Sequence, residues 1–95
     1  MNKPKNTMKV SFPSRGANEG LARMLVAAFI TEADPTVEEL CDIKTAVSEA
    51  VTNCIVHAYP DRIGEIYIAA SLSESNLVTI KVRDHGCGIA DVQKA

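Results

Sequence analysis

Two polar side chains lie one helical turn apart in the stretch SEAVTNCIVHAY, residues 48–59. Glu49 and Asn53 are four residues apart, and in a helix this spacing places them on the same face. Most of the apolar side chains of the stretch fall on the opposite face. The pair is therefore either the solvated edge of a helix or one half of a binding site, and this stretch alone favours the solvated edge.

A further acidic residue closes a segment of alternating polarity, LVTIKVRD, residues 77–84. Asp84 has the same parity as the apolar residues before it, so we expect it to point toward the core. A carboxylate there is costly unless it has a partner. Gly86 and Gly88 follow, and glycine lets the backbone approach a ligand closely. The segment DHGCG, residues 84–88, is either a turn in which Asp84 caps a backbone group or a loop that fits against a flat ligand.

The elements that must position these residues follow from the hydrophobic periodicity. Thr36 and Glu39 form a capping-box pattern at the start of the second helix, and the Asp34-Pro35 pair ends the first. The predicted elements are a strand over residues 8–12, a helix from a cap at Asn18 to about Ala33, a helix over residues 37–58, and a hairpin of strands at 65–72 and 77–84. This order predicts an α+β two-layer sandwich, with helices on one face of an antiparallel sheet.

Composition limits the classes of function. The chain has 95 residues, enough for one domain, and its net charge of −2 argues against nucleic acid as a direct partner. The sequence contains no run of 18 apolar residues, so it predicts no membrane-spanning helix. The three cysteines form no CxxC pair, which favours a reducing, cytoplasmic location. We expect residues 1–7 to be a disordered tail.

In combination, these motifs resemble those of a known superfamily. An ExxxN pair on a capped helix, a β-hairpin, and an inward Asp followed by GxG resemble the GHKL ATPases, whose Bergerat nucleotide-binding fold occurs in histidine kinases, gyrase and Hsp90. The resemblance covers nearly the whole chain from Met8. Within the superfamily, the segment LARMLVAAFITEADPTVEELCDIKTAVSEAVTNCIVHAY is similar to the anti-sigma F family, serine protein kinases that also sequester a sporulation sigma factor.

The resemblance implies roles for individual residues. Asn53 matches the asparagine that offers an oxygen to Mg²⁺, and Glu49 matches the general base that accepts the proton of a serine hydroxyl. Asp84 matches the acid that accepts a hydrogen bond from the adenine amino group. This acid favours ATP over GTP, because guanine presents a carbonyl at that position. Gly86 and Gly88 match the glycines that let the loop approach the base.

The resemblance also implies partners. Arg23 matches an arginine that engages the sigma factor, although it also fits an ordinary exposed helix arginine. The other implied partners are an anti-anti-sigma protein as phosphorylation substrate and a second copy of the chain in a homodimer. Two alternatives remain at this point: a stress-response anti-sigma kinase, which would change the partner but not the chemistry, and an α+β domain that binds no nucleotide.

Two departures from the family pattern qualify these expectations. His85 stands where many relatives have Glu. The family continues past the first glycine pair with a lid and a second glycine-rich box, whereas this sequence ends at Ala95. We therefore expect residues 8–95 to be the N-terminal portion of one such domain, a protein-binding module with weak or no ATP binding and no measurable kinase activity by itself.

Overall fold

The computed structural model describes residues 3–85 and 89–94, the latter as backbone. Four strands and two helices are connected mostly by short loops. Their bounds are β1 Pro4–Pro13, α1 Ala17–Ile30, α2 Val37–Asn53, β2 Glu65–Ser73, β3 Val78–Arg83 and β4 Ile89–Lys94. A 3₁₀ turn, Thr31–Ala33, follows α1, and a π-helical turn, Cys54–Ala58, follows α2.

The strands form one antiparallel sheet in the order β1-β2-β3-β4. The helices lie side by side on one face, where α1 contacts β1 and β2 while α2 contacts β3 and β4. This arrangement confirms the predicted α+β two-layer sandwich. None of the helices within the described ranges combines the length and apolar character needed to cross a membrane. The fourth strand was not predicted, because IADVQK shows only weak alternation of polarity.

The core lies between the helices and the inner face of the sheet. The ladders place Ile68 of β2 between Val10 of β1 and Val82 of β3, so one row of aliphatic side chains crosses three strands. Val10 is partly buried, whereas Ile68 and Val82 are fully buried, and full burial of such a side chain contributes about 1.5–3 kcal/mol. The largest fully buried side chains are Val26, Ile30, Ile43, Val47, Val51, Ile66, Ile68, Leu72, Ile80 and Val82. Both helices are therefore attached to the sheet through one continuous apolar layer.

The ends of two elements differ from the expectation. β1 begins at Pro4, so the predicted tail is wrong for residues 4–7, which pair with the end of β2. Backbone hydrogen bonds need no apolar side chains, and an edge strand tolerates proline. Asn18 is not the cap of α1, which begins at Ala17; its amide instead donates to the carbonyl of Pro13 at 2.8 Å.

The start of α2 confirms the predicted capping box. The backbone N–H of Glu39 donates to Oγ1 of Thr36 at 3.1 Å, and the N–H of Thr36 donates to Oε1 of Glu39 at 2.9 Å. Two of the amide groups that a helix start leaves without partners are thereby satisfied. The first turn of α2, and with it the phase of its polar face, is set by local sequence.

Three segments meet where β2 begins. The backbone N–H of Ser14 donates to the carbonyl of Gly64 at 2.8 Å, and the N–H of Gly64 donates to Oγ of Ser14 at 2.9 Å. On its other side, Gly64 packs so closely on the buried ring of Tyr59 that a Cβ at this position would overlap the ring. A glycine is required here because two segments of the chain approach each other closely.

We expect Gly64→Ala to destabilise the fold by about 1–3 kcal/mol, because the added methyl group must displace the Tyr59 ring or shift β2. Urea unfolding followed by circular dichroism measures the change. Gly16→Ala is the matched control, since a Cβ at Gly16 meets no atom within 4 Å, and it should change stability by less than about 0.5 kcal/mol. Equal stability of the two variants would contradict the packing argument.

Candidate functional site

The polar face of α2 carries the two residues first identified from spacing. Glu49 and Asn53 are both exposed, whereas Val47 and Ala50, on the other side of the helix, are buried. The helix therefore presents a carboxylate and an amide to the surroundings, one turn apart, from a backbone fixed by the core. Such a pair can accept a proton and offer an oxygen ligand without any rearrangement of the fold.

The helix widens immediately after Asn53. Residues Cys54–Ala58 form a π-helical turn, closed by the N–H of Tyr59, which donates to the carbonyl of Cys54 at 3.1 Å. π-helical turns are rare in proteins overall, but those that occur are often found at functional sites. Here the turn leaves Val56 exposed while it directs the ring of Tyr59 into the core.

Asp84 lies directly after β3 and is buried, with only 7% of its surface exposed. The prediction from strand parity is confirmed for its burial, since β3 alternates between buried and exposed residues up to this point. Asp84 interacts with another group of the protein, as a buried carboxylate must. Because α2 packs over β3 and β4, the carboxylate lies at the end of a strand covered by the helix that carries Glu49 and Asn53.

The sequence patterns assign no role to Tyr59, which directly follows the predicted helix over residues 37–58. Its ring is 5% exposed, and its hydroxyl donates to the carbonyl of Glu65 at 2.9 Å. The same hydroxyl accepts a hydrogen bond of 3.0 Å from the backbone N–H of His85. The available signal was the residue type, because a buried tyrosine hydroxyl requires a partner. The identity of that partner depends on the fold.

The outer face of the sheet contacts the His85 side chain. Nε2 of His85 lies 3.0 Å from the hydroxyl of Tyr67, and the two rings meet edge to face at 5.3 Å. The guanidinium of Arg83 lies 5.1 Å from the centre of the Tyr67 ring. Side chain and backbone of His85 therefore have different tyrosine partners, on opposite faces of the sheet.

The remaining predicted residues lie elsewhere or outside the described residues. Arg23 is exposed on α1, and its Nε lies 3.3 Å from Oε2 of Glu19 one turn earlier. Met24 beside it is 73% exposed. Gly86 and Gly88 fall outside the described residues. Within residues 3–85, whose side chains the structure describes, no group of three or more His, Cys, Asp or Glu side chains could hold a metal ion.

Comparison with known proteins places the chain in a family. A model of the histidine kinase-like ATPase domain matches residues 12–95. The chain is 56% identical over 90 residues to the anti-sigma F factor of Thermoanaerobacter sp. (strain X514), covering 95% of this chain and 62% of that protein. For the anti-sigma F factor of Caldanaerobacter subterraneus subsp. tengcongensis the identity is 57% with the same coverage. The chain is 48% identical over 94 residues to the anti-sigma F factor of Heyndrickxia coagulans, covering 96% of this chain and 63% of that protein.

The chain thus spans less than two thirds of the length of these relatives. The matched region includes both helices and the strands β2, β3 and β4. The helices also lie on one face of an antiparallel sheet, as the resemblance implies. The chain belongs to the family of histidine kinase-like ATPase domains, and within that family it is similar to the anti-sigma F factors.

Proposed function

We propose that this chain is the nucleotide-binding part of a cytoplasmic anti-sigma factor of the sporulation type. In the complete protein it uses Mg-ATP to phosphorylate a serine of an anti-anti-sigma protein, and it also sequesters a sigma factor. The observation that carries the proposal is the burial of Asp84 directly after β3, a strand that packs against α2, the helix that carries Glu49 and Asn53. The names of the relatives support the anti-sigma role, and the resemblance to their family supports a homodimer.

At the base end of the site, Asp84 accepts the hydrogen bond of the adenine amino group. A buried carboxylate is a strong acceptor, because little water competes for its lone pairs. Guanine offers a carbonyl at the same position, so two acceptors would face each other, and unpaired buried groups are costly. The resemblance implies that Gly86 and Gly88 let the loop approach the flat base, because glycine permits a backbone to come close to a ligand.

At the phosphate end, Asn53 offers its amide oxygen to Mg²⁺ and Glu49 accepts the proton of the attacking serine. The donor set fits this cation, because Mg²⁺ keeps several waters and takes other ligands from nucleotide phosphates rather than from an all-protein cage. The ion, when bound, neutralises charge on the transferred phosphoryl group. Glu49 is exposed, so a serine on a separate protein can reach it.

Sigma binding uses the outward surface of α1 around Arg23. The arginine is exposed, and the neighbouring Leu21 and Met24 are among the exposed large apolar residues. Exposed apolar side chains beside an arginine are typical of protein interfaces. Because Arg23 lies on α1 and Glu49 on α2, sequestration and phosphoryl transfer use different residues and can be separated by mutation.

We expect Asp84→Asn to weaken ATP binding and to abolish the preference for adenine over guanine. A hydrogen bond to a charged group contributes about 1.5–3 kcal/mol, so affinity should fall by about 10- to 150-fold. Isothermal titration of the complete protein with Mg-ATP and Mg-GTP measures both affinities. Asp34→Asn is the control, since Asp34 is exposed and its positive φ of 53° suits asparagine. Unchanged ATP affinity in Asp84→Asn would refute the assigned role.

We expect Glu49→Ala to slow phosphorylation of the anti-anti-sigma protein by about 10²- to 10⁴-fold, the usual contribution of a general base. Binding of Mg-ATP and of the sigma factor should change little, since Glu49 contacts neither in the proposed arrangement. Single-turnover phosphoryl transfer measures the rate. Glu38→Ala, at an exposed position in the first turn of the same helix, should retain wild-type activity. A wild-type rate in Glu49→Ala would exclude the general-base role.

We expect Arg23→Glu to reduce affinity for the sigma factor by at least about tenfold, while phosphorylation is retained. A hydrogen-bonded arginine in an interface contributes about 1.4 kcal/mol or more to the binding free energy, which corresponds to this factor. Fluorescence anisotropy with labelled sigma factor measures the affinity. Glu19→Gln is the matched control: it removes the ion pair but keeps the arginine, and it should bind normally. Equal losses in both variants would show that the ion pair, not the arginine, matters.

A further inference from the structure

The hydroxyl of Tyr59 occupies the place where β2 and β3 separate. The ladder pairs Tyr67 with Arg83, and the same register would place Glu65 opposite His85. β3 ends at Arg83. Instead of a direct backbone pair, the Tyr59 hydroxyl connects the two strands: it donates to the carbonyl of Glu65 at 2.9 Å and accepts from the N–H of His85 at 3.0 Å.

Asp84 lies between two backbone points that are both restrained. On one side Arg83 is the last residue paired with β2, and on the other His85 is bonded through its N–H to Tyr59. The path of the chain through Asp84 therefore depends on where the Tyr59 hydroxyl lies. That hydroxyl is itself fixed, because its ring is buried and packs directly on Gly64.

Tyr59 also connects this segment to the opposite end of the site. It follows Asn53 by six residues, at the end of the π-helical turn, and its N–H closes that turn on the carbonyl of Cys54 at 3.1 Å. The widened turn aims the ring away from the course of α2 and toward the start of β2. A single side chain thus relates the helix that carries Glu49 and Asn53 to the backbone beside Asp84.

We infer that the Tyr59 hydroxyl is a positioning group for the Asp84 carboxylate and thereby sets the affinity and selectivity of the nucleotide site. It acts through the backbone of His85 and does not touch the nucleotide. The inference rests on the proposed function, in which Asp84 binds adenine. Binding groups must be held within about 0.5 Å of the productive geometry, so a less restrained His85 leaves Asp84 less able to distinguish adenine from guanine.

The test is Tyr59→Phe in the complete protein, a change that keeps the ring and removes the hydroxyl. The dissociation constant for Mg-ATP should rise by about tenfold, the equivalent of one hydrogen bond, and the ratio of the GTP to the ATP dissociation constant should fall toward one. Titrations are made well below the melting temperature, where loss of stability alone changes neither value. Tyr67→Phe is the matched control, because it removes the hydroxyl beside the His85 ring and leaves the backbone hydrogen bond intact.

Hydrogen exchange of the wild-type protein without nucleotide provides a second measurement that needs no variant. The His85 amide should be protected, since it donates a hydrogen bond to the hydroxyl of Tyr59. Rapid exchange of this amide, or unchanged affinity and selectivity in Tyr59→Phe, would overturn this inference and leave the proposed function unaffected. Equal losses in Tyr59→Phe and Tyr67→Phe would also overturn it. Failure of the wild-type protein to bind Mg-ATP would overturn the proposed function as well.

Discussion

The inner face of the sheet and the two helices share one apolar core, in which Ile68, Ile80 and Val47 are fully buried. Because side chains alternate between the faces of a strand, burial of one face determines where each residue of β3 points. The alternation continues one residue past the end of the strand, so Asp84 is buried with the apolar residues that precede it. A carboxylate enters the protein interior as a consequence of hydrophobic packing.

A buried carboxylate is useful only where the backbone around it is held, and here regular structure ends on both sides of the site. Helices and sheets satisfy their own backbone groups, but groups at their ends need other partners. α2 widens after Asn53, and β2 and β3 separate after Arg83. The hydroxyl of Tyr59 bonds backbone groups on either side of this separation, so the stability of the fold and the geometry of the candidate site depend on the same side chain.

The two helices divide the exposed surface between them. Glu49 and Asn53 are exposed on α2, whereas Arg23 and Met24 are exposed on α1. Both helices pack against the same sheet, α1 on β1 and β2 and α2 on β3 and β4. The residues proposed for nucleotide chemistry and those proposed for partner binding therefore lie on different helices.

The sequence by itself determined features that depend on residues close along the chain: the capping box at Thr36, the hairpin, and the burial of Asp84. It also indicated the family, because the ExxxN pair on a capped helix, the hairpin and the DxGxG segment follow one another in the order typical of that family. The roles of Glu49 and Asn53 remain predictions. Tertiary structure alone decided the pairing of residues 4–7, the addition of β4, and the partners of Tyr59. Tyr59 and His85 are 26 residues apart, and contacts at that range arise from packing of whole elements, which no local pattern encodes.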